Sequence, residues 1–383
     1  MIQLANMRIL IGKTATFVQI LCPMHMNCRL LRLALIAVAA VAVSCHPRDR
    51  YVVFSGYAQG GTWMVKANMK GVEVKDSEVQ ASLDSILLRI DNSLSGYNKN
   101  SLLSAFNAGN QITPDALFLD IYNRSVSIYD VTEGCVDPAS APLFDIWGFG
   151  FKSGEMPSDE KVMSTLTDCR MSRLNRDIHK AVSSDGVLDP SALLLPESGK
   201  ALPQLNYNAI AQGYSCDLVA SYLYSIGVKD MMVDIGEIFC DGLNPSGRQW
   251  AIGIDSPVDG NDKPGESLQA IFKVPAGPHG VVTSGNYRKY YVKDGKKYAH
   301  TIDPRSGYPV SHTLLSATIL APDATLADAY ATYCMVIGLD ASKEFITSQP
   351  ALEACLIYDD GGDFKIWTSP GFIVEQIPST SKQ

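Results

Sequence analysis

The stretch 283–309 constrains the fold of this 383-residue chain more than any other. It reads TSGNYRKYYVKDGKKYAHTIDPRSGYP. Tyr290, Val292 and Tyr298 are strand residues, and Asp294-Gly295 is the dipeptide of a two-residue hairpin turn. A hairpin accounts for the alternation and the turn. It does not account for His300 and Asp303, three residues apart where the second strand ends. Strand ends and loops are where sites are built, so His300 and Asp303 form a candidate site.

The rest of the chain supplies more hairpins and few crossovers. Apolar residues at helical spacing predict helices over 77–94 and 114–130, the second opening after Thr113-Pro114. A helix is expected from about Tyr214 to Ser225, closed by Gly227. Strands are expected over 231–235, 250–254 and 315–320, and a helix over 324–337 capped by Gly338. A last hairpin joins Leu356-Ile357-Tyr358 to 364–367 through Asp359 to Gly362. Residues 152–204 read as surface helices and connections. Irregular alternation with several hairpins predicts an α+β fold with mainly antiparallel sheets and packed helices in a single catalytic domain. No G-x-G-x-x-G follows a strand and no P-loop is present, which argues against those nucleotide sites.

The N-terminus reads as an export signal. Arg29 and Arg32 precede the apolar run 33–43, then Ser44-Cys45. The run is too short for an ordinary membrane span and has the order of a signal peptide. Cys45 after Ser44 is similar to a bacterial lipobox, in which that cysteine is lipidated, although Ala42 stands where leucine is usual. Residues 1–25 lie ahead of such a signal, making Met24 or Met26 the expected start. Residues 1–44 are therefore read as extension plus signal, 45–58 as a tether, 59–375 as the domain and 376–383 as a tail. Residues 1–44 hold four basic side chains and no acid, so the net charge of −8 leaves −12 on the remainder. An acidic body argues against non-specific nucleic-acid binding. Cys135, Cys169, Cys216, Cys240, Cys334 and Cys355 form no C-x-x-C pair, which argues against zinc or iron–sulfur ligation.

Several segments bring candidate chemistry. Asp328 and Thr332 are four apart on one face of the helix 324–337. A carboxylate among alanines needs a partner if buried, and a carboxylate–hydroxyl pair suits a hard cation such as Mg2+; a solvent-facing helix side is the plain alternative. The NYNAIAQG entry at 206–213 brings backbone near a ligand or offers a carbonyl. Glu237 follows a buried strand. Ser95 and Tyr97 sit on a loop, and Trp147 to Gly150 reads equally well as core packing with a tight turn.

The order of these segments is more specific than any one of them. SGYNKNSLLSAFN, DPASAPLFDIWGFG, NAIAQGY, TSGNY, YAHTIDPRSGYP and LADAYATYCMVIG, in that sequence, resemble the FAD:protein FMN transferases of the ApbE family over about 61–337. The resemblance implies a T-fold-like core and a periplasmic, Mg2+-dependent enzyme anchored to the membrane by lipid at Cys45. It implies transfer of FMN from FAD to a threonine or serine hydroxyl of a partner flavoprotein, with release of AMP. It assigns Asp328, Thr332 and the Ala209 carbonyl to Mg2+. It places His300 and Asp303 at the pyrophosphate, leaving open which is the base, and has them line the FAD site with Ser95, Tyr97, Asp137, Glu237, Thr283 and Ser284. Three positions depart from the family pattern: Gln212 for a common lysine, Ala139 for a common threonine, and a single glycine, Gly236, before Glu237. The alternatives are an FAD pyrophosphatase releasing FMN and AMP, and a non-catalytic FAD-binding lipoprotein.

Overall fold

A strand buried on both faces organises the fold. Leu314–Ala321 reads LLSATILA, and all of it but Leu315 is buried. An apolar run without alternation is what a strand covered on both sides requires. The computed structural model describes residues 49–151, 156–258, 265–286, 290–293 and 296–377. Cys45 with the rest of the N-terminal signal, and the Asp294-Gly295 turn, lie outside the described residues.

The strands are β1 (Tyr51–Ala58), β2 (Gly61–Asn68), β3 (Met231–Asp234), β4 (Ile238–Asp241), β5 (Ala251–Asp255), β6 (Leu268–Lys273), β7 (His279–Gly285), β8 (Tyr290–Lys293), β9 (Lys296–Ala299), β10 (Ile302–Asp303), β11 (Tyr308–Pro309), β12 (Leu314–Ala321), β13 (Glu353–Asp360), β14 (Asp363–Thr368) and β15 (Val374–Gln376). The helices are α1 (Asp76–Leu94), α2 (Leu102–Asn107), α3 (Ala116–Val131), α4 (Ala141–Ile146), α5 (Asp159–Asp168), α6 (Ala211–Ser225), α7 (Ala324–Ile337) and α8 (Leu339–Ser348). Eight strands form one sheet in the order β1-β2-β3-β4-β7-β12-β13-β14, with every neighbouring pair antiparallel. A second sheet has the order β15-β6-β5. The predicted hairpin at 290–299 is present as β8 paired with β9, Lys293 opposite Lys296. The α+β class and the antiparallel pairing are as expected from the hairpin-rich sequence.

The large sheet is covered differently along its width. Over β1–β3 one face carries α1, α3 and α6, in a core that includes Trp63, Val65, Leu83, Phe118, Val219 and Val233. Over β12 and β13 one face carries α7 and α8, with Ile319, Leu356 and Ala331 packed together. The other face of those strands carries the three-stranded sheet, where Leu320 and Ile357 meet Phe272 and Phe372. Period-two alternation in β13 thus separates two cores, each fully buried aliphatic side chain contributing about 1.5–3 kcal/mol.

Two readings change. Residues 51–58, taken as tether, form β1 and pair along their whole length with β2. Gln59 and Gly60, in the left-handed region at φ 52° and 82°, form the turn between β1 and β2. The reading of 152–204 as surface helices and connections changes in part. The described part of the segment contributes Met171, Ile178, Leu188 and Leu193 to the main core, all buried. They sit in or beside one-turn helical segments too short to show a period, which is why the pattern did not reveal them.

The first turn of α7 is held at very close approach from two sides. A Cβ on Gly213 of α6 would lie 2.2 Å from the Ala324 carbonyl oxygen, and one on Gly280 of β7 would lie 2.4 Å from Ala324 Cα. Gly213 therefore serves helix packing rather than the ligand approach expected of it. Gly280→Ala is expected to lower stability by about 1–3 kcal/mol, the cost of forcing extra volume into a packed site. Gly61→Ala, with nothing within 4 Å of the new Cβ, is expected to stay within about 0.5 kcal/mol. Denaturant midpoints of the two variants check the contrast.

Candidate active site

Helix α7 reads ATLADAYATYCMVI and α6 reads AQGYSCDLVASYLYS. Each contains one charged residue, and each of those is an aspartate bonded to the other helix. Asp328 of α7 is buried, and its Oδ2 accepts from the Gly213 N–H at 3.1 Å. Asp217 of α6 accepts from the Ala324 and Thr325 N–H groups at 2.8 and 2.9 Å and from the Thr325 hydroxyl at 2.5 Å. Asp323 takes the Leu326 N–H at 2.7 Å. The orphan donors at the start of α7 are thus shared between a local cap and a distant one.

Burial pushes the Asp328 carboxyl up to about 7, and the nearby Asp217 charge acts in the same direction. Burial likewise pushes Asp217 up to about 6, against the bonds it accepts from Thr325 and Ala324. An ionised Asp328 with one hydrogen bond is an under-satisfied buried charge. Thr332 lies one turn further along α7, half-buried. Ala209 lies in the turn that leads into α6. One carboxylate, one hydroxyl and one carbonyl fit a hard cation that leaves most of its shell to water or phosphate. Among the described residues, no group of three His, Cys, Asp or Glu side chains is placed to hold a metal.

The hairpin end of the site is built by a loop that sequence reading underrated. After α4 the chain turns through Trp147 to Phe151, tied down by the Asp145 carboxylate, whose Oδ1 accepts from the Phe151 N–H at 2.7 Å. The Trp147 indole donates to the Gly307 carbonyl at 2.8 Å and packs edge-on to Tyr308. Phe149 meets the His300 ring edge-on at 6.4 Å between centroids. Phe151 meets Tyr97 at 5.1 Å, and its ring lies where a Cβ on Gly96 would be, at 2.2 Å. One loop therefore props both the His300–Gly307 segment and the Ser95–Tyr97 loop. Trp147 is core, as the plainer reading held, while Phe149 and Phe151 contact two expected site residues.

The other expected residues take these places. Asp303 accepts from the Arg305 guanidinium at both oxygens, at 3.0 Å each, and from the Arg305 N–H. The Thr301 hydroxyl donates to Asn286 at 2.6 Å, which ties the residue after β7 to the segment that follows β9. Ser95 caps the end of α1 and accepts from the Asn98 N–H. Tyr97 is 63% exposed, and its hydroxyl accepts from Asn208 at 3.3 Å, next to Ala209. Thr283 bonds Thr318 at 2.9 Å across β7 and β12, with Ser284 opposite Ala317. The half-buried Glu237 adjoins the start of α6: its carbonyl accepts from the Cys216 thiol, and Gln212 donates to the Ile235 carbonyl at 3.2 Å. Asp137 is engaged by backbone. It is buried, and both oxygens serve backbone N–H groups of Ala139 and Met171. Asp137 shapes its own loop, which joins Asn206 through the Pro138 carbonyl at 2.7 Å.

The sequence model described as the ApbE family matches residues 60–356, well over half of the chain. The chain belongs to the ApbE family. The FAD:protein FMN transferase of Escherichia coli K12 is 30% identical over 361 residues, covering 89% of this chain and 96% of that protein. The FAD:protein FMN transferase of Haemophilus influenzae is 30% identical over 337 residues, covering 85% and 92%. The apo flavinyl transferase ApbE of Pseudomonas stutzeri superposes with a TM-score of 0.70 at 27% identity, covering 84% of this chain and 95% of that chain.

Asp217, Phe149, Phe151 and Asn208 are the neighbours of the site that sequence reading missed. The signal for Asp217 was available, since it is the sole charge in an otherwise uncharged helix, the same feature that marked Asp328. Phe149 and Phe151 carried no signal that separates a site wall from a core.

Because folding raises the Asp328 and Asp217 carboxyls above their ordinary value of 3.8, the native state binds more protons than the unfolded chain between those values. Stability of the chelator-treated protein is therefore expected to fall as pH rises from about 4 to about 7. Asp328→Asn, which removes one titrating group, is expected to flatten that fall. Thermal unfolding midpoints across the pH range check both.

Proposed function

We propose that the protein is an Mg2+-dependent FAD:protein FMN transferase that moves FMN from FAD to a threonine or serine hydroxyl of a partner flavoprotein and releases AMP. Membership of the ApbE family makes the chain a transferase. The single observation that carries the finer reading is Asp328, a buried carboxylate with one hydrogen bond, on a helix that also presents Thr332 and beside a turn that presents Ala209. Asp328, Thr332 and the Ala209 carbonyl are the proposed Mg2+ ligands, and the ion supplies charge neutralisation on the pyrophosphate when bound.

The chain's own residues do the positioning. The acceptor oxygen attacks the phosphorus on the FMN side, and the bridging P–O bond breaks. AMP leaves with the bond's electron pair, and the hydroxyl proton passes to a base. Such transfer needs alignment and electrostatics more than covalent help. Asp303 has both oxygens engaged by Arg305, which weakens it as a base and suits it to orientation. His300, braced by Phe149, is the base we assign. Ser95, Tyr97, Glu237, Thr283 and Ser284 are the proposed FAD contacts, with Asp137 shaping a supporting loop. The reading extends to Cys45 as the lipidated residue and to an exported protein held by lipid on the periplasmic side of the cell membrane.

Incubating the full chain with FAD, Mg2+ and an acceptor flavoprotein domain is expected to give in-gel flavin fluorescence on the acceptor and one AMP per label. Chelation, or Asp328→Ala, is expected to abolish both. FMN released without labelling would instead identify a pyrophosphatase, and FAD bound without turnover a binding protein. His300→Ala is expected to slow transfer about 10²–10⁴-fold, the usual contribution of a positioned base, with single-turnover labelling as the measurement. An unchanged rate removes His300 from that role.

A further inference from the structure

Helices α6 and α7 exchange hydrogen bonds in both directions, and only one direction belongs to the chemistry proposed above. Gly213 and Asp217 are four residues apart on one face of α6. Gly213 donates to Asp328, while Asp217 accepts from Ala324 and Thr325, a turn earlier in α7. The earlier residue of α6 meets the later residue of α7, and the reverse, so the two attachments run in opposite senses along the helices. Two attachments one turn apart define both the slide and the rotation of α7 on α6. Apolar packing between Cys216, Ala220, Ala324 and Ala329 does not have that specificity, because small side chains of similar shape pack in several registers.

We propose that Asp217 is a positioning residue for the cation site. It holds α7 in the one register that sets the Asp328 carboxylate and the Thr332 hydroxyl against the Ala209 carbonyl. The inference rests on the reading of Asp328 as a metal ligand. Three geometric facts carry it. The Asp217 carboxylate caps a helix that starts 107 residues later in the chain, with three bonds and both oxygens in use. The local cap Asp323 already serves the same helix end, so a second, distant acid is not needed for helix formation alone. The ligands are divided between the two elements that Asp217 joins, because Ala209 enters α6 while Asp328 and Thr332 stand on α7. One residue of slide along a helix is about 1.5 Å, enough to dismantle a cation shell whose metal–oxygen distances are held near 2.1 Å.

The test is Mn2+ binding to the full chain without FAD, followed through the free Mn2+ signal in electron paramagnetic resonance, with near-ultraviolet circular dichroism of the chelated variants as the check on folding. Asp328→Ala is expected to abolish binding; binding at wild-type strength there overturns the metal reading itself, and this inference with it. With that control in place, Asp217→Asn and Asp217→Glu are each expected to weaken Mn2+ binding about 10–100-fold, as loss of a group that orients a ligand does, while remaining folded. Asp217→Glu keeps the charge and displaces it by one methylene, so its loss distinguishes placement from charge. Wild-type affinity in Asp217→Glu overturns the inference, whether or not Asp217→Asn is weakened. If both variants fail to fold, Thr325→Val decides: it keeps the Asp217 charge and removes one of the three bonds. Weaker Mn2+ binding supports the inference, and unchanged affinity overturns it.

Discussion

The exchange of hydrogen bonds between α6 and α7 is the interaction on which the rest of this structure depends. Two helices, each with a single charged side chain, direct those charges at each other's backbone rather than at each other. Two buried carboxylates in contact would repel. By taking backbone N–H groups as partners they lie close enough for the Asp217 charge to raise the affinity of Asp328 for a proton, yet the helix pair stays closed. Gly213 and Gly280 make this possible by leaving no side chain between the first turn of α7 and its neighbours. The Mg2+ site proposed for Asp328 would draw on this electrostatic deficit, a buried carboxylate with one hydrogen bond.

The second half of the site is assembled by aromatic contacts. The Trp147–Phe151 loop touches the Ser95–Tyr97 loop through Phe151, the His300 ring through Phe149 and the Gly307 carbonyl through Trp147. These contacts are short, directional and distant in sequence. They link segments that no strand ladder connects, so the site's shape depends on side-chain packing as much as on the sheet. The turn at Asn208 and Ala209 touches Tyr97 on one side and enters α6 on the other. It is the point where the aromatic half meets the α6–α7 pair.

Much of the fold was legible. The helix over 324–337, the strands flanking it and the β8–β9 hairpin were recoverable because periodicity and turn chemistry are local signals. The tether reading failed at β1 because its alternation, with Val53 and Tyr57 exposed and Phe54 buried, is weak at an edge strand. Segment 152–204 failed because its buried residues come singly on short turns. For the proposed site, spacing on one helix suggested the pairing of Asp328 with Thr332, and place at a strand end that of His300 with Asp303. Asp137 could not be separated from a ligand contact, since an aspartate before proline and a small-residue turn looks the same whether it faces a ligand or its own backbone.

The sequence by itself determined the fold class, the antiparallel pairing and the identity of the lone acid in the apolar helix 324–337, because these depend on residue type and on spacings of two to four positions. Only the tertiary structure decided that Asp217 holds α7 from 107 residues away, that Asp137 serves its own loop, and that Phe149 and Phe151 brace His300 and Tyr97. Those relations depend on where separate elements come to rest against each other. Local sequence carries no record of that placement, since it is set by the packing of the whole core.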